Sequence, residues 1–277
     1  MNITFIGGGN MAAALIGGLI DTGFDRNRIA VVEIAAEQRA RLARDLGVRV
    51  ASAITPAAGE PDALDGADTI VLAIKPQQMR EVTRALAGRL SGQLVISIAA
   101  GIRSDDLARW LGNYPRIVRV MPNTPALVLA GVSGLYARTE VSAAERSRAE
   151  SILQAVGSTL WVDRESLIDA VTAVSGSGPA YVFYFIEAMR EAAKELGFDD
   201  AAARQLVLGT FTGAVKLAEG ASEDVSVLRE RVTSKGGTTE RALATMRDRE
   251  VKKHIVQAVH AAMQRGVELG DELGKAD

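Results

Sequence analysis

Ile3-Thr4-Phe5-Ile6-Gly7-Gly8-Gly9-Asn10-Met11-Ala12-Ala13-Ala14-Leu15-Ile16 is the stretch from which the rest of the chain is read. An apolar, partly β-branched run (Ile3 to Ile6) breaks into three glycines and then into residues of helical character. Strand, tight glycine turn and helix, in that order, open a dinucleotide-binding βαβ unit, with Gly7, Gly9 and Ala12 at the G-x-G-x-x-A positions. Gly7 permits the sharp turn, Gly9 lets a pyrophosphate approach the backbone, and Ala12 lets the helix pack close to the strand. Free N–H groups on the first helical turn then face the anion. A glycine-rich turn of this kind also occurs with no ligand. The ligand-binding reading gains from a second strand, Ile29 to Val32, which ends in Glu33, 21 residues beyond Ala12. An acidic side chain there accepts hydrogen bonds from a ribose hydroxyl.

Outward from this start, strands and helices alternate. A helix from Glu37 to Leu46 closes on Gly47, and strands follow at Val48–Ala51, Thr69–Ile74, Leu94–Ala99 and Arg116–Met121. Ser104 reads as the N-cap of a helix ending at Trp110. Late strands at Val132–Ala137 and Thr159–Val162 flank a helix from about Ser142 to Val156. Near Asp163 the pattern changes and only helices follow. Regular βα alternation means a doubly wound sheet, and 277 residues exceed the usual ~100–200 of one domain. The expected architecture is an α/β Rossmann-type dinucleotide-binding domain over residues 1–162 and an all-α dimerisation and substrate domain over 163–277.

Composition narrows the function. Net charge is −2 with no basic tract, so nucleic acid is not an expected partner. Cysteine is absent, which removes disulfides, thiolate metal sites and a thiol nucleophile. The two histidines, His254 and His260, fall on different faces of one helix, so no metal site is expected. No apolar run reaches the ~18 residues of a membrane span, and the N-terminal residues already read as a core strand. A cytoplasmic protein is the expectation.

In an open parallel sheet, ligands bind outside the carboxyl ends of the strands. Those ends carry Gly7-Gly8-Gly9, Ala73-Ile74-Lys75-Pro76, Ala99-Ala100-Gly101 and Met121-Pro122-Asn123-Thr124-Pro125. Small residues and prolines leave room for a flat ring and fix the loop paths. In the helical half, Ser175-Gly176-Ser177-Gly178-Pro179 starts a helix whose residues Tyr181 to Ile186 are apolar on every face, so a subunit interface is its expected cover. Thr233-Ser234-Lys235-Gly236-Gly237-Thr238-Thr239-Glu240 is a second bare helix start, suited to a substrate carboxylate. Glu240 could equally fill that site itself. Hydroxyacid dehydrogenases of similar layout commonly need a Lys base on the first long helix of the second domain, and none precedes Lys194 here. A protonated imine is already an electrophile and asks mainly for placement.

These residues resemble pyrroline-5-carboxylate reductase over essentially the whole chain. The resemblance is carried by Phe5-Ile6-Gly7-Gly8-Gly9-Asn10-Met11-Ala12, Met121 to Pro125, Val174-Ser175-Gly176-Ser177-Gly178-Pro179-Ala180-Tyr181 and Ser234 to Thr239. It implies reduction of the cyclic imine to L-proline with NADPH or NADH, and helical domains that intertwine as dimers, often assembled into decamers. It places Ile6, Gly7, Gly8, Gly9, Asn10 and Met11 at the pyrophosphate. Glu33, Ala73, Ile74, Lys75, Pro76, Ala100 and Asn123 would line the rest of the cofactor. Thr239 would be the catalytic hydroxyl at the imine nitrogen, with Ser234, Gly237 and Thr238 around the substrate carboxylate and Glu165 balancing the iminium charge. Many relatives have Pro where this chain has Lys235. Many also place Ser, Thr or Arg near Glu33 to hold a 2′-phosphate, so the choice between NADPH and NADH stays open. The competing readings are a related small-molecule dehydrogenase and a non-catalytic dinucleotide sensor.

Overall fold

A computed structural model describes residues 1–56 and 62–275. Eight strands form one sheet: β1 (Ile3–Ile6), β2 (Ile29–Val32), β3 (Arg49–Ala51), β4 (Thr69–Leu72), β5 (Leu94–Ser97), β6 (Ile117–Met121), β7 (Gly131–Ala137) and β8 (Gly157–Trp161). Their spatial order is β3-β2-β1-β4-β5-β6-β7-β8. Every residue of β1, β2, β4 and β5 is buried, because parallel strands covered on both sides have no solvent face to alternate toward. Helices α1 (Asn10–Asp21), α2 (Ala36–Leu46) and α5 (Ala143–Gln154) cover one side of the sheet, around Phe5, Leu15, Val31 and Ile152. The other carries α3 (Met79–Leu86) and α4 (Ser104–Trp110), around Ile70, Leu72, Met79 and Leu107.

One pairing departs from a purely parallel sheet: β7 runs antiparallel to β6. The connection between them holds only a short 3₁₀ turn, Thr124–Val128, and a parallel return needs a crossover of a dozen or more residues. The helix ends are local chemistry. Gly47 at φ +67° closes α2 in the left-handed region, and Ser142 and Glu145 form a reciprocal capping box on α5. Ser104 is not the cap of α4, as expected, but its first helical residue. Its N–H and hydroxyl both donate to Glu165, a cap supplied from 61 residues away.

After β8 no strand occurs among the described residues. The short α6 (Leu167–Val171) runs into a π-helical turn, Thr172–Gly176. Then come α7 (Gly178–Glu195), α8 (Asp200–Glu219), α9 (Val225–Arg231), α10 (Thr238–Asp248) and α11 (Val251–Gly274). The chain divides into two compact units, and the division does not follow the change of pattern at 162/163. Met1–Ser177 and the stretch from Ala262 onward form one unit; Gly178–Ala261 forms the other. The end of α11 belongs with the sheet because side chains of α3 and α4 hold it. Arg103 pairs with Asp271 at 2.6 Å, Arg109 donates to the Gly274 carbonyl at 2.9 Å and Arg80 to that of Lys275 at 2.6 Å. The helical unit, by contrast, buries little. Phe183, Tyr184 and Leu217 are 60%, 71% and 70% exposed, so its apolar surface lacks a cover within the unit itself.

Candidate active site

The glycine turn is shaped by what stands next to it. Gly7 has φ +97°, and a Cβ there would meet the Ala73 carbonyl oxygen at 2.6 Å; only glycine fits between β1 and β4. A Cβ on Gly9 would meet nothing within 4 Å, so that side of the turn is open. Gly9 is the N-cap of α1 and no side chain caps the helix, which leaves the first-turn N–H groups available to an anion. A groove of about 630 Å³ opens here, lined by Ile6, Gly7, Gly9, Glu33, Ala73, Ile74 and Lys75 among others. Asn10 and Met11 stand in the first turn of α1. Pro76 opens a 3₁₀ turn beside the groove, with Lys75 as its N-cap. Ala100 follows β5 and is outside the groove lining.

Glu33 is fixed on both oxygens. Oε2 accepts from the Gly8 N–H at 2.8 Å and Oε1 from the Ala35 N–H at 2.9 Å. From the other side, the Gln38 amide donates to the Gly8 carbonyl at 2.5 Å. Arg39 donates to the carbonyls of Glu33 and Ile34, each at 2.7 Å. The central glycine peptide is thus clamped at both ends by side chains of the second βα unit. Uncapped helix, open glycine and an oriented carboxylate at the end of β2 are the features a dinucleotide needs, so the residues fit that group. Sequence reasoning missed Gln38 and Arg39, because nothing in α2 marks which of its polar residues turn back toward the glycine loop.

At the carboxyl end of β6, Asn123 uses its side chain within the protein. Its Oδ1 accepts from the Val132 N–H at 2.8 Å and its Nδ2 donates to the Ser175 carbonyl at 3.2 Å. It ties the Met121–Pro125 loop to β7 and to the π-helical turn. Glu165 is likewise occupied. Besides Ser104, it accepts from Arg119 at 3.1 Å, and Arg119 also pairs with Asp169 at 3.0 Å. Arg119 is 2% exposed. It therefore neutralises carboxylates at the start of α6 from within the sheet, and the Glu165 charge expected to face an iminium is matched by a protein cation.

In the helical unit, Ser234, Gly237, Thr238 and Thr239 come together at the start of α10. The Gly237 N–H donates to the Ser234 carbonyl at 3.0 Å, and Gly237 caps the helix without a side-chain bond. Glu240 takes the Gly236 N–H at 2.7 Å. Its carboxylate thus holds the turn from the loop side. Lys194, the first lysine of α7, pairs with Asp200 at 3.3 Å on the surface. Among the described residues no group of three or more His, Asp or Glu side chains converges as a metal site would.

Residues 165–269 match the family model for pyrroline-5-carboxylate reductase dimerisation, and residues 2–101 match that for NADP oxidoreductase, coenzyme F420-dependent. The chain is 46% identical over 274 residues to pyrroline-5-carboxylate reductase of Pseudomonas aeruginosa, covering 99% of this chain and 98% of that one. It is 43% identical over 273 residues to the Haemophilus influenzae enzyme, covering 96% and 97%. Among solved structures, a pyrroline-5-carboxylate reductase from Coxiella burnetii superposes with a TM-score of 0.90 at 41% identity, over 97% of this chain and 98% of that one. Pyrroline carboxylate reductase from Plasmodium falciparum, with NADP bound, gives 0.85 at 27% identity, over 98% of each.

Proposed function

The chain belongs to the pyrroline-5-carboxylate reductase family, and from that premise we propose how its residues divide the work. It is an NAD(P)H-dependent oxidoreductase that reduces 1-pyrroline-5-carboxylate to L-proline, the last step of proline biosynthesis. The division we propose gives the dinucleotide to residues 1–162 and the substrate to residues 163–277. Ile6 to Met11 hold the pyrophosphate on the N–H groups of α1, Glu33 accepts from the adenosine ribose, and Ala73 to Pro76 border the remainder, with Ala100 beyond the groove lining after the neighbouring β5. Asn123 we assign to holding the Met121–Pro125 loop beside it rather than to a direct cofactor contact. When bound, the reduced nicotinamide supplies a hydride to the imine carbon.

The protein's own part is placement. The uncapped start of α10 carries the reading. Its Thr238 and Thr239 N–H groups receive the substrate carboxylate, with Ser234 and Gly237 shaping the turn that presents them. The ring nitrogen is bonded to the carbon that bears that carboxylate, so the Thr239 hydroxyl on the same turn reaches it. A hydrogen bond there orients the C=N carbon and keeps the nitrogen protonated until the carbon is reduced. Glu165 acts at one remove, by holding α4 and Arg119. A hydroxyacid dehydrogenase is disfavoured by the surface pairing of Lys194, which leaves α7 without a lysine base.

Self-association is supported by the dimerisation domain; we propose a dimer through the exposed apolar face of α7, open to assembly into decamers. No helix among the described residues is long and apolar enough to cross a membrane, and we place the enzyme in the cytoplasm. The test is spectrophotometric oxidation of NADH and of NADPH, each with and without pyrroline-5-carboxylate. Substrate-dependent oxidation is expected; none with either nucleotide would overturn the assignment.

A further inference from the structure

The glycine turn presents N–H groups to an anion only while its peptides keep their present direction, and two of them are held from the second βα unit. Glu33 takes the Gly8 N–H and so fixes the Gly7–Gly8 peptide. The Gly8–Gly9 peptide is fixed by Gln38, whose amide donates to the Gly8 carbonyl at 2.5 Å. Gly8 is buried against α2, where a Cβ on it would run into the side chain of Leu42, one turn beyond Gln38; Gly9 is exposed. In a trans peptide the N–H points opposite to the carbonyl, and no peptide among the described residues is cis. With the Gly8 carbonyl turned to α2, the Gly9 N–H is turned the other way, to the groove that Gly9 lines and Gly8 does not. No group among the described residues accepts from that N–H. Gly8 and Gly9 carry no Cβ to resist rotation of the peptide between them. Flipped, it would put a carbonyl oxygen where an anion's oxygens must come.

We propose that Gln38 is a positioning residue for the dinucleotide: by holding the Gly8 carbonyl it aims the Gly9 N–H at the pyrophosphate. A division of labour at the start of α2 frees it for this task. Gln38 is the third residue of the helix, a place from which a glutamine side chain ordinarily reaches back to the backbone N–H of the residue preceding the helix. That N–H, of Ala35, is taken at 2.9 Å by Glu33 instead. The Gln38 side chain crosses to the glycine turn. Its effect falls on the pyrophosphate, which NADH and NADPH share, whereas Glu33 faces the ribose where they differ.

This inference rests on the placement of the pyrophosphate at the start of α1, and the experiment separates the two. Binding to the full chain without substrate is measured for ADP-ribose, which carries the pyrophosphate, by titration calorimetry, and for adenosine, which does not, by ligand-observed NMR. Gln38→Met keeps the length of the side chain and Gln38→Leu its branched bulk, and neither has a donor; either suffices where the other fails to fold. ADP-ribose should bind about three- to tenfold more weakly, the worth of one hydrogen bond, with adenosine within about twofold of the parent. NADH and NADPH should weaken by the same factor. Unchanged ADP-ribose affinity would overturn the assignment and leave Gln38 a tie between α2 and the turn. Equal weakening of adenosine would overturn it as well, since a general loosening moves both ligands. Asn10→Pro removes one first-turn N–H at a helix position that accepts proline. If it weakens ADP-ribose while the Gln38 variants do not, the role of Gln38 alone is refuted; if it leaves ADP-ribose unchanged, the pyrophosphate lies elsewhere and both readings fall.

Discussion

Replacing Glu33 with Ser should raise the ratio of kcat/KM for NADPH over that for NADH by roughly tenfold or more. The carboxylate cannot swing away from a ligand, since one oxygen is held at 2.8 Å by the Gly8 N–H and the other at 2.9 Å by the Ala35 N–H. Each oxygen keeps a lone pair for a ribose hydroxyl, whereas a 2′-phosphate would stand against a fixed negative charge. Two unit charges about 5 Å apart at an effective dielectric constant of about 40 repel by roughly 1.7 kcal/mol. Mobile ions remove part of that and the phosphate's extra charge restores it. A net of about 1.4 kcal/mol is a factor of ten. Arg39, held behind the turn on the carbonyls of Glu33 and Ile34, remains in the variant and adds attraction for the phosphate. Initial rates with both nucleotides should be compared for the parent, Glu33→Ser and Glu33→Gln, at low and high salt. Gln keeps the shape and the acceptor for Gly8 while losing the charge, so it should recover most of the shift, and the shift should shrink with salt. A ratio within about twofold of the parent in both variants would refute the electrostatic argument.

Thr239→Ala should lower kcat/KM for the imine by roughly 10–150-fold, the worth of one oriented hydrogen bond to a charged group, about 1.5–3 kcal/mol. Dinucleotide affinity without substrate should hold within about twofold; unchanged turnover would reduce Thr239 to a helix-start residue. Arg119→Met strands Glu165 and Asp169 without their buried cation, a loss of about 3–5 kcal/mol that should lower the calorimetric Tm by about 10 °C. Lys at this position should rescue little, because one ammonium cannot span both carboxylates; a Tm within about 2 °C of the parent would deny the cluster its structural weight. Burial alone would raise the Glu145 carboxyl, but hydrogen bonds from Ser142 and the charges of Arg116 and Arg148 outweigh it and leave the pKa below its ordinary value. A depressed carboxyl stabilises the fold above the unfolded value of about 4.3 and stops doing so as pH falls through the folded value. Glu145→Gln should therefore be less stable than the parent at pH 7, with the gap closing in acid; a gap independent of pH would contradict this.

What the sequence revealed was whatever depends on neighbours along the chain. Gly7, Gly9 and Ala12 follow one strand in a fixed spacing, and Glu33 ends the next, so strand, turn and helix could be read without knowing what packs where. β7 was legible as a strand but not as antiparallel, since its direction depends on a connection too short for a crossover. Ser104 has the local signature of a cap, yet the acceptor comes from Glu165. Asn123 looked like a cofactor ligand because it sits in a loop at the right end of β6. Its hydrogen bonds to Val132 and Ser175, met only later in the chain, could not be read there. Arg119 left no trace at all: a lone arginine in an apolar strand becomes intelligible only when α6 brings Asp169 over it.

The attachment of the last part of α11 to the sheet has a consequence for how the protein is made. A Cβ placed on Gly101 would meet Leu273 at 3.2 Å and Leu269 at 3.4 Å, and Arg80 and Arg109 wait for carbonyls at the end of the helix. On the ribosome, the strands and α3 and α4 emerge well before those partners, with the whole of Gly178–Ala261 translated in between. At about 5–20 residues per second, the nucleotide-binding unit spends several seconds with that flank unsealed. The helical segment is thus an insertion that the first unit must outlast before it can finish folding. Chaperone demand should concentrate in that interval.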